Sequence, residues 1–168
     1  MKIYSQEIIK HFKNPQNVGT IKKPNGVGEA GNLICGDVMK LYLKVEENKK
    51  GEKIIKDIKF ETLGCVVAIA NTSLLTTIVK GKTLKEALKI KKEELINRLG
   101  QPLPPIKIHC SILAVDALKE AIYDYYLKNK ISIPEELEKE HQRIIKTKEE
   151  IEKKYKDFGV FEKEILQK

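Results

Sequence analysis

The sequence predicts an α+β fold, a small antiparallel sheet of about three strands with helices packed on one face, followed by a charged helical extension. Three observations carry this. Residues 38–46 and 54–63 alternate apolar and polar side chains with the period of two that marks a half-buried strand, and a polar run containing Gly51 joins them. Residues 65–79 form a compact, largely apolar run long enough for a buried helix. Beyond Pro134 most residues are charged, yet Leu137, Ile144, Ile151 and Phe158 recur every seven, giving one narrow apolar seam.

The elements follow in order. Tyr4, Ile8 and Phe12 space a short amphipathic helix that begins near Ser5 and ends at Asn14 and Pro15. The glycine density between residues 17 and 37 suits a loop with an irregular edge strand. Two alternating strands then pair as a hairpin, Gly64 precedes the buried helix, and Gly81 closes it. Thr83 with Glu86 three residues on is a capping box for a short helix, and residues 92–99 form another. Gly100, Pro102, Pro104 and Pro105 predict an extended connector. A long helix over residues 111–128 carries Leu113, Ala117, Ala121 and Tyr125 on one stripe. The expected division is therefore a domain at 1–128 and a helical extension at 129–168, either folded back on its own domain or used for partner binding or self-association.

The chain has 168 residues, 41% apolar and 33% charged, enough to bury a core without disulfides. No segment approaches the ~20 apolar residues that span a bilayer, and the start lacks a signal-peptide apolar region, so a cytoplasmic protein without a membrane is expected. The net charge of +8, with a pI near 9.2, raises nucleic-acid binding. Against it, only two of the 32 basic residues are arginine, Arg98 and Arg143. The excess lies in residues 1–128, which hold 22 basic and 14 acidic residues, whereas the extension holds ten of each. A lysine-rich domain surface suits steering toward acidic protein partners better than reading nucleic acid.

The chemistry points to three cysteines. Cys35 stands beside Gly36 and Asp37 before a strand, Cys65 follows Gly64 at the head of the buried helix, and Cys110 follows His109 at the predicted start of the long helix. All three junctions can meet at one end of the sheet. Thiols at helix N-termini lose protons more readily, which improves them as nucleophiles and soft-metal ligands. An odd number of cysteines cannot all pair, and no Cys-x-x-Cys suggests a zinc finger. Three sulfurs plus one carboxylate or imidazole suit tetrahedral Zn²⁺ or iron in a cluster, and Asp37 and His109 both stand in position to complete the set. Taken singly, each residue is more simply a buried thiol, a turn carboxylate or an ordinary histidine; the combination favours a thiolate-rich metal site.

The motifs carry a resemblance. Asn17-Val18-Gly19, Gly31-Asn32, the run from Cys35 to Leu41, Gly64-Cys65 with Ala68-Ile69-Ala70, the run from Val79 to Thr83, and above all Leu103-Pro104-Pro105-Ile106-Lys107-Ile108-His109-Cys110-Ser111 resemble the family of IscU and the N-terminal domain of NifU, iron–sulfur cluster assembly scaffolds. The likeness spans residues 4–128. It implies an α+β fold and a protein that is a carrier rather than an enzyme. Such a protein assembles a transient [2Fe-2S] cluster from iron and persulfide sulfur supplied by a cysteine desulfurase, then delivers it to apo-proteins. It further implies Cys35, Cys65 and Cys110 as cluster ligands, Asp37 or His109 completing the set, and Cys110 as persulfide acceptor. The segment Leu103, Pro104, Pro105, Ile106 and Lys107 would be read by a heat-shock chaperone and its co-chaperone, and Tyr4 would serve contacts in a homodimer. Zinc in the cluster-free form fits the same ligands. The alternative is a zinc-dependent sulfur-transfer protein like SufU; His109, and the lack of a long insertion between Cys65 and Cys110, weigh against it. Three departures stand out: Val66 and Val67 where very small residues are common, Leu33 and Ile34 where a proline often precedes the first cysteine, and the charged extension.

Overall fold

The structure, a computed structural model, describes residues 4–32, 36–100, 103 and 105–166, and the side chains of all of these except 32, 105, 106, 151, 152 and 154–166. Helix α1 spans Gln6–Lys13, and strands β1 (Gly26–Asn32), β2 (Asp37–Glu47) and β3 (Lys53–Leu63) form an antiparallel meander in the order β1-β2-β3. Helices α2 (Val66–Val79), α3 (Leu84–Ala87), α4 (Lys92–Arg98), α5 (Pro105–Lys128) and α6 (Glu135–Leu166) follow.

The alternation in β2 sorts Met39, Leu41, Leu43 and Val45 onto the covered face, and Lys40, Tyr42 and Lys44 onto the other. In β3 a register shift opposite Lys44/Val45 lets both Ile55 and Ile58 point into the core, an inward pair that strict alternation forbids. Helices α2 and α5 cover that face, and α1 packs on α2. The stripe Leu113, Ala117, Ala121 and Tyr125 is buried, as its spacing requires. Helix α5 crosses β1 so closely that a Cβ on Gly28 would lie 2.1 Å from the Ala121 backbone nitrogen. Only glycine admits that approach.

Ser5 caps α1, accepting from the Ile8 N–H at 3.1 Å while its hydroxyl donates to the Leu99 carbonyl. Thr83 and Glu86 complete the expected capping box of α3. The first part of α6 turns back onto α5. Leu137 and Ile144 are buried, Arg143 pairs with the buried Asp116 at 2.6 Å, and His141 pairs with Glu120 at 2.9 Å while stacking on Tyr123. Ile151 and Phe158, the distal half of the seam, lie outside the described side chains. No helix among the described residues is long and apolar enough to cross a membrane.

One boundary differs from the expectation. Helix α5 begins at Pro105, so residues 105–107 are its first turn rather than part of an extended connector. Proline is tolerated at the first helical position, where its missing N–H has no intrahelical partner to lose. His109 and Cys110 therefore sit in the second turn of α5, not at its tip.

Candidate functional site

Three elements converge at one end of the sheet. Gly36, at φ +72°, makes the turn that starts β2 at Asp37 and leaves the Asp37 carboxylate buried. Strand β3 ends at Leu63, and the chain passes through Gly64 to Cys65, the N-cap of α2. A Cβ on Gly64 would stand 2.9 Å from the Ala68 Cβ and 3.1 Å from Asp37 Oδ1, so a bare backbone is needed there. The Cys65 side chain makes no capping bond, which leaves its sulfur for other partners. Instead the Cys65 N–H donates to Asp37 Oδ1 at 3.2 Å. Helix α5 brings in Cys110, wholly buried, from the opposite side.

The Cys65 and Cys110 sulfurs are 3.7 Å apart, and the Cys110 thiol donates to Asp37 Oδ2 at 3.3 Å. The ligand atoms of Asp37, Cys65 and Cys110 all lie within 4.8 Å of one another. His109 Nε2 stands 3.6 Å from the Cys110 sulfur and 3.9 Å from Asp37 Oδ2, at the rim of the same cluster. Cys35, the remaining sequence candidate, lies outside the described residues. The donor set fits a thiophilic ion. With metal–sulfur bonds of about 2.3 Å, the sulfur–sulfur edge of a tetrahedral site is about 3.8 Å, the spacing the two cysteines already hold.

Electrostatics describe the metal-free state of this donor set. Burial, and then the neighbouring Cys65 sulfur and Asp37, push the Cys110 thiol well above the ordinary cysteine range. This corrects the expectation of an acidified thiol at a helix tip, because second-turn burial outweighs the dipole. The Cys110 proton stands between two sulfurs and a carboxylate, and a cation held by these groups would take its place. Lys107 responds in the complementary direction: its interaction with Cys65, ahead of that with Cys110, holds its ammonium above the usual lysine range. Sequence reasoning assigned Lys107 only to a docking segment and missed this placement beside the sulfurs. In that segment Leu103 is buried, Pro104 lies outside the described residues, Pro105 and Ile106 are described by backbone alone, and Lys107 is half-buried.

Residues 3–132 match the family described as the NifU-like N terminal domain. The chain belongs to that family. Within this NifU-like family, the chain is 47% identical over 144 residues to the iron-sulfur cluster assembly scaffold protein IscU 1 of Archaeoglobus fulgidus, covering 82% of this chain and 90% of that one. It is 50% identical over 128 residues to the iron-sulfur cluster assembly scaffold protein IscU of Haemophilus influenzae, covering 74% and 97%. The crystal structure of a putative SUF-system scaffold from Fervidobacterium islandicum AW-1 superposes with a TM-score of 0.59 at 27% identity, over 71% of this chain and 96% of that one. The α+β architecture expected from the sequence is thus that of its NifU-like relatives.

Proposed function

We propose that this chain is a scaffold on which an iron–sulfur cluster is assembled and from which it is passed on. The observation that carries this reading is the meeting of Asp37, Cys65 and Cys110 at one end of the sheet, in a chain whose family relatives are named as such scaffolds. A carboxylate leaves iron more readily than a thiolate, so a set that mixes Asp37 with cysteines holds a cluster tightly enough to form and loosely enough to release.

The finer reading is a [2Fe-2S] cluster held by Cys35, Cys65 and Cys110, with Asp37 or His109 as the remaining donor. Its sulfur comes from a cysteine desulfurase: a thiolate of this chain attacks the outer sulfur of the donor persulfide, the desulfurase thiolate leaves, and two electrons from an external thiol or one-electron donor protein then release the transferred sulfur as the sulfide of the cluster. We take Cys110 as that acceptor. Its sulfur is wholly buried, so the role requires Cys110 to be uncovered when the desulfurase docks. The cluster then passes to apo-proteins, with a chaperone and co-chaperone acting on residues 103–107 and a homodimer as the assembling species. Residues 1–128 are the scaffold unit in this reading, and 129–168 an appendage to it.

A SufU-like exchange of sulfur on a zinc-bound thiol is the second reading, favoured by the tetrahedral edge length between Cys65 and Cys110. One experiment separates the two. The chain is loaded anaerobically with ferrous iron, cysteine, a desulfurase and dithiothreitol as reductant, then mixed with an apo-ferredoxin. A scaffold shows a visible cluster spectrum that moves to the acceptor; persulfide on the chain without any cluster supports the zinc reading and overturns the first.

A further inference from the structure

Cys65 and Cys110 ride on different helices, so their spacing depends on what fixes α2 against α5. One residue on from Cys110, the Ser111 hydroxyl donates to Asn71 Oδ1 of α2 at 2.8 Å, and both residues are wholly buried. Asn71 Nδ2 donates to the Val67 carbonyl one turn back at 2.9 Å, which fixes which end of the amide faces Ser111. Asparagine is a poor helix former, and its buried amide is costly unless paired. Its presence in the middle of the apolar α2 therefore marks a specific partner. On the other helix that partner directly follows Cys110.

The same stretch of α2 is tied down on its other sides. The Thr72 hydroxyl donates to the Ala68 carbonyl at 2.8 Å and lies 3.3 Å from the Met39 sulfur of β2, and Ser73 bonds His11 of α1 at 2.8 Å. Sheet and α1 thus anchor α2 itself, while the Asn71–Ser111 bond ties α5 to it right behind Cys110.

We propose that the Ser111–Asn71 hydrogen bond is a positioning link that holds the Cys65 and Cys110 sulfurs at the edge length of a tetrahedral metal site. The inference rests on reading that cluster as a metal-binding site. Neither residue belongs to the donor set of Asp37, Cys65 and Cys110. Their effect is preorganisation: with the link intact, the ion meets two sulfurs already spaced for it, and without it the helices must be ordered when the ion binds.

The test is anaerobic Co²⁺ titration of the full chain, following the thiolate-to-cobalt absorption, with thermal unfolding of the metal-free proteins recorded alongside. Ser111→Ala is expected to bind Co²⁺ at least threefold more weakly than wild type while remaining folded at the titration temperature. Asn71→Leu, which keeps the helix and fills the space, gives a second variant if Ser111→Ala does not stay folded. The double variant is expected to bind no more weakly than the weaker single, because one bond is lost in each case. Wild-type binding with less than a threefold change in the folded variants overturns the link alone. Absence of the thiolate band in wild type overturns the metal-site reading, and the link with it.

Discussion

Asp37 caps the helix that Cys65 begins: its Oδ1 accepts the Cys65 N–H at 3.2 Å, while its Oδ2 faces the Cys110 thiol at 3.3 Å. One carboxylate thus does structural work on α2 and completes the donor set at the same time.

Asp37→Ala separates the two roles. Loss of the cap is expected to lower stability by about 1 kcal/mol, read from urea unfolding of the metal-free protein. Loss of the oxygen donor leaves a more thiolate-rich site, so a reconstituted cluster should persist longer against a chelator than in wild type. A shorter lifetime would show that Asp37 retains the cluster rather than easing its release.

The Cys110 thiol gives the site a pH signature. Burial, with Cys65 and Asp37 beside it, raises its folded pKa, whereas the unfolded thiol titrates near pH 8.5. Below that pH both states keep the proton and the stabilising difference is fully present. Above it the unfolded chain releases a proton that the folded chain keeps, so stability falls as pH rises. Metal-free wild type should therefore lose stability between about pH 8.5 and 10 more steeply than Cys110→Ala, by up to about 1.4 kcal/mol per pH unit. Parallel slopes for the two proteins contradict this assignment.

Gly28 sets how closely β1 approaches α5. A Cβ there meets the Ala121 nitrogen at 2.1 Å and the Ala117 carbonyl at 2.2 Å, and neither is a side chain that can swing away. Gly28→Ala should cost about 3 kcal/mol or more. At Gly31, in the same strand, the nearest atoms are 3.7 Å away, and Gly31→Ala should cost under about 1 kcal/mol. Equal losses in denaturant unfolding would mean that β1 shifts to relieve the contact.

Arg143 holds α6 to α5. It reaches the buried Asp116 at 2.6 Å and Glu140 at 2.9 Å, and Asp116 is already pushed above the carboxylate range by burial. Arg143→Ala leaves Asp116 without this partner. Because the guanidinium is half exposed, the expected loss is about 1–2 kcal/mol rather than the larger cost of breaking a fully buried pair. Urea unfolding checks it; no change would show that the apolar contacts of Leu137 and Ile144 suffice to dock the helix.

Much of this architecture was legible because it follows from local rules. Alternation placed Met39, Leu41 and Leu43 inward, capping residues placed α1 and α3, and the stripe on α5 showed its buried face. The prolines misled at one point. Pro102, Pro104 and Pro105 all favour an extended chain when taken alone, but the first position of a helix accepts proline, so α5 starts at Pro105. That shift carries Cys110 away from the helix tip into the core and reverses the direction in which its thiol is tuned. The junctions predicted that Cys35, Cys65 and Cys110 could gather at one end of the sheet; Cys65 and Cys110 meet there beside Asp37, while Cys35 lies outside the described residues. The Asn71–Ser111 bond was not legible as a pair, because the partners are far apart in sequence and nothing local links them; the polar residue inside an apolar helix was its only trace.

In the function proposed for this chain, Cys65 and Cys110 together hold an iron–sulfur cluster. The most direct measurement is anaerobic reconstitution with ferrous iron, cysteine, a desulfurase and dithiothreitol as reductant, followed by assay of iron, labile sulfide and the visible spectrum. Wild type is expected to carry equal iron and labile sulfide, with a cluster absorption that is lost in Cys65→Ser/Cys110→Ser. A wild-type protein with no such absorption, or a double variant whose cluster matches wild type, contradicts it.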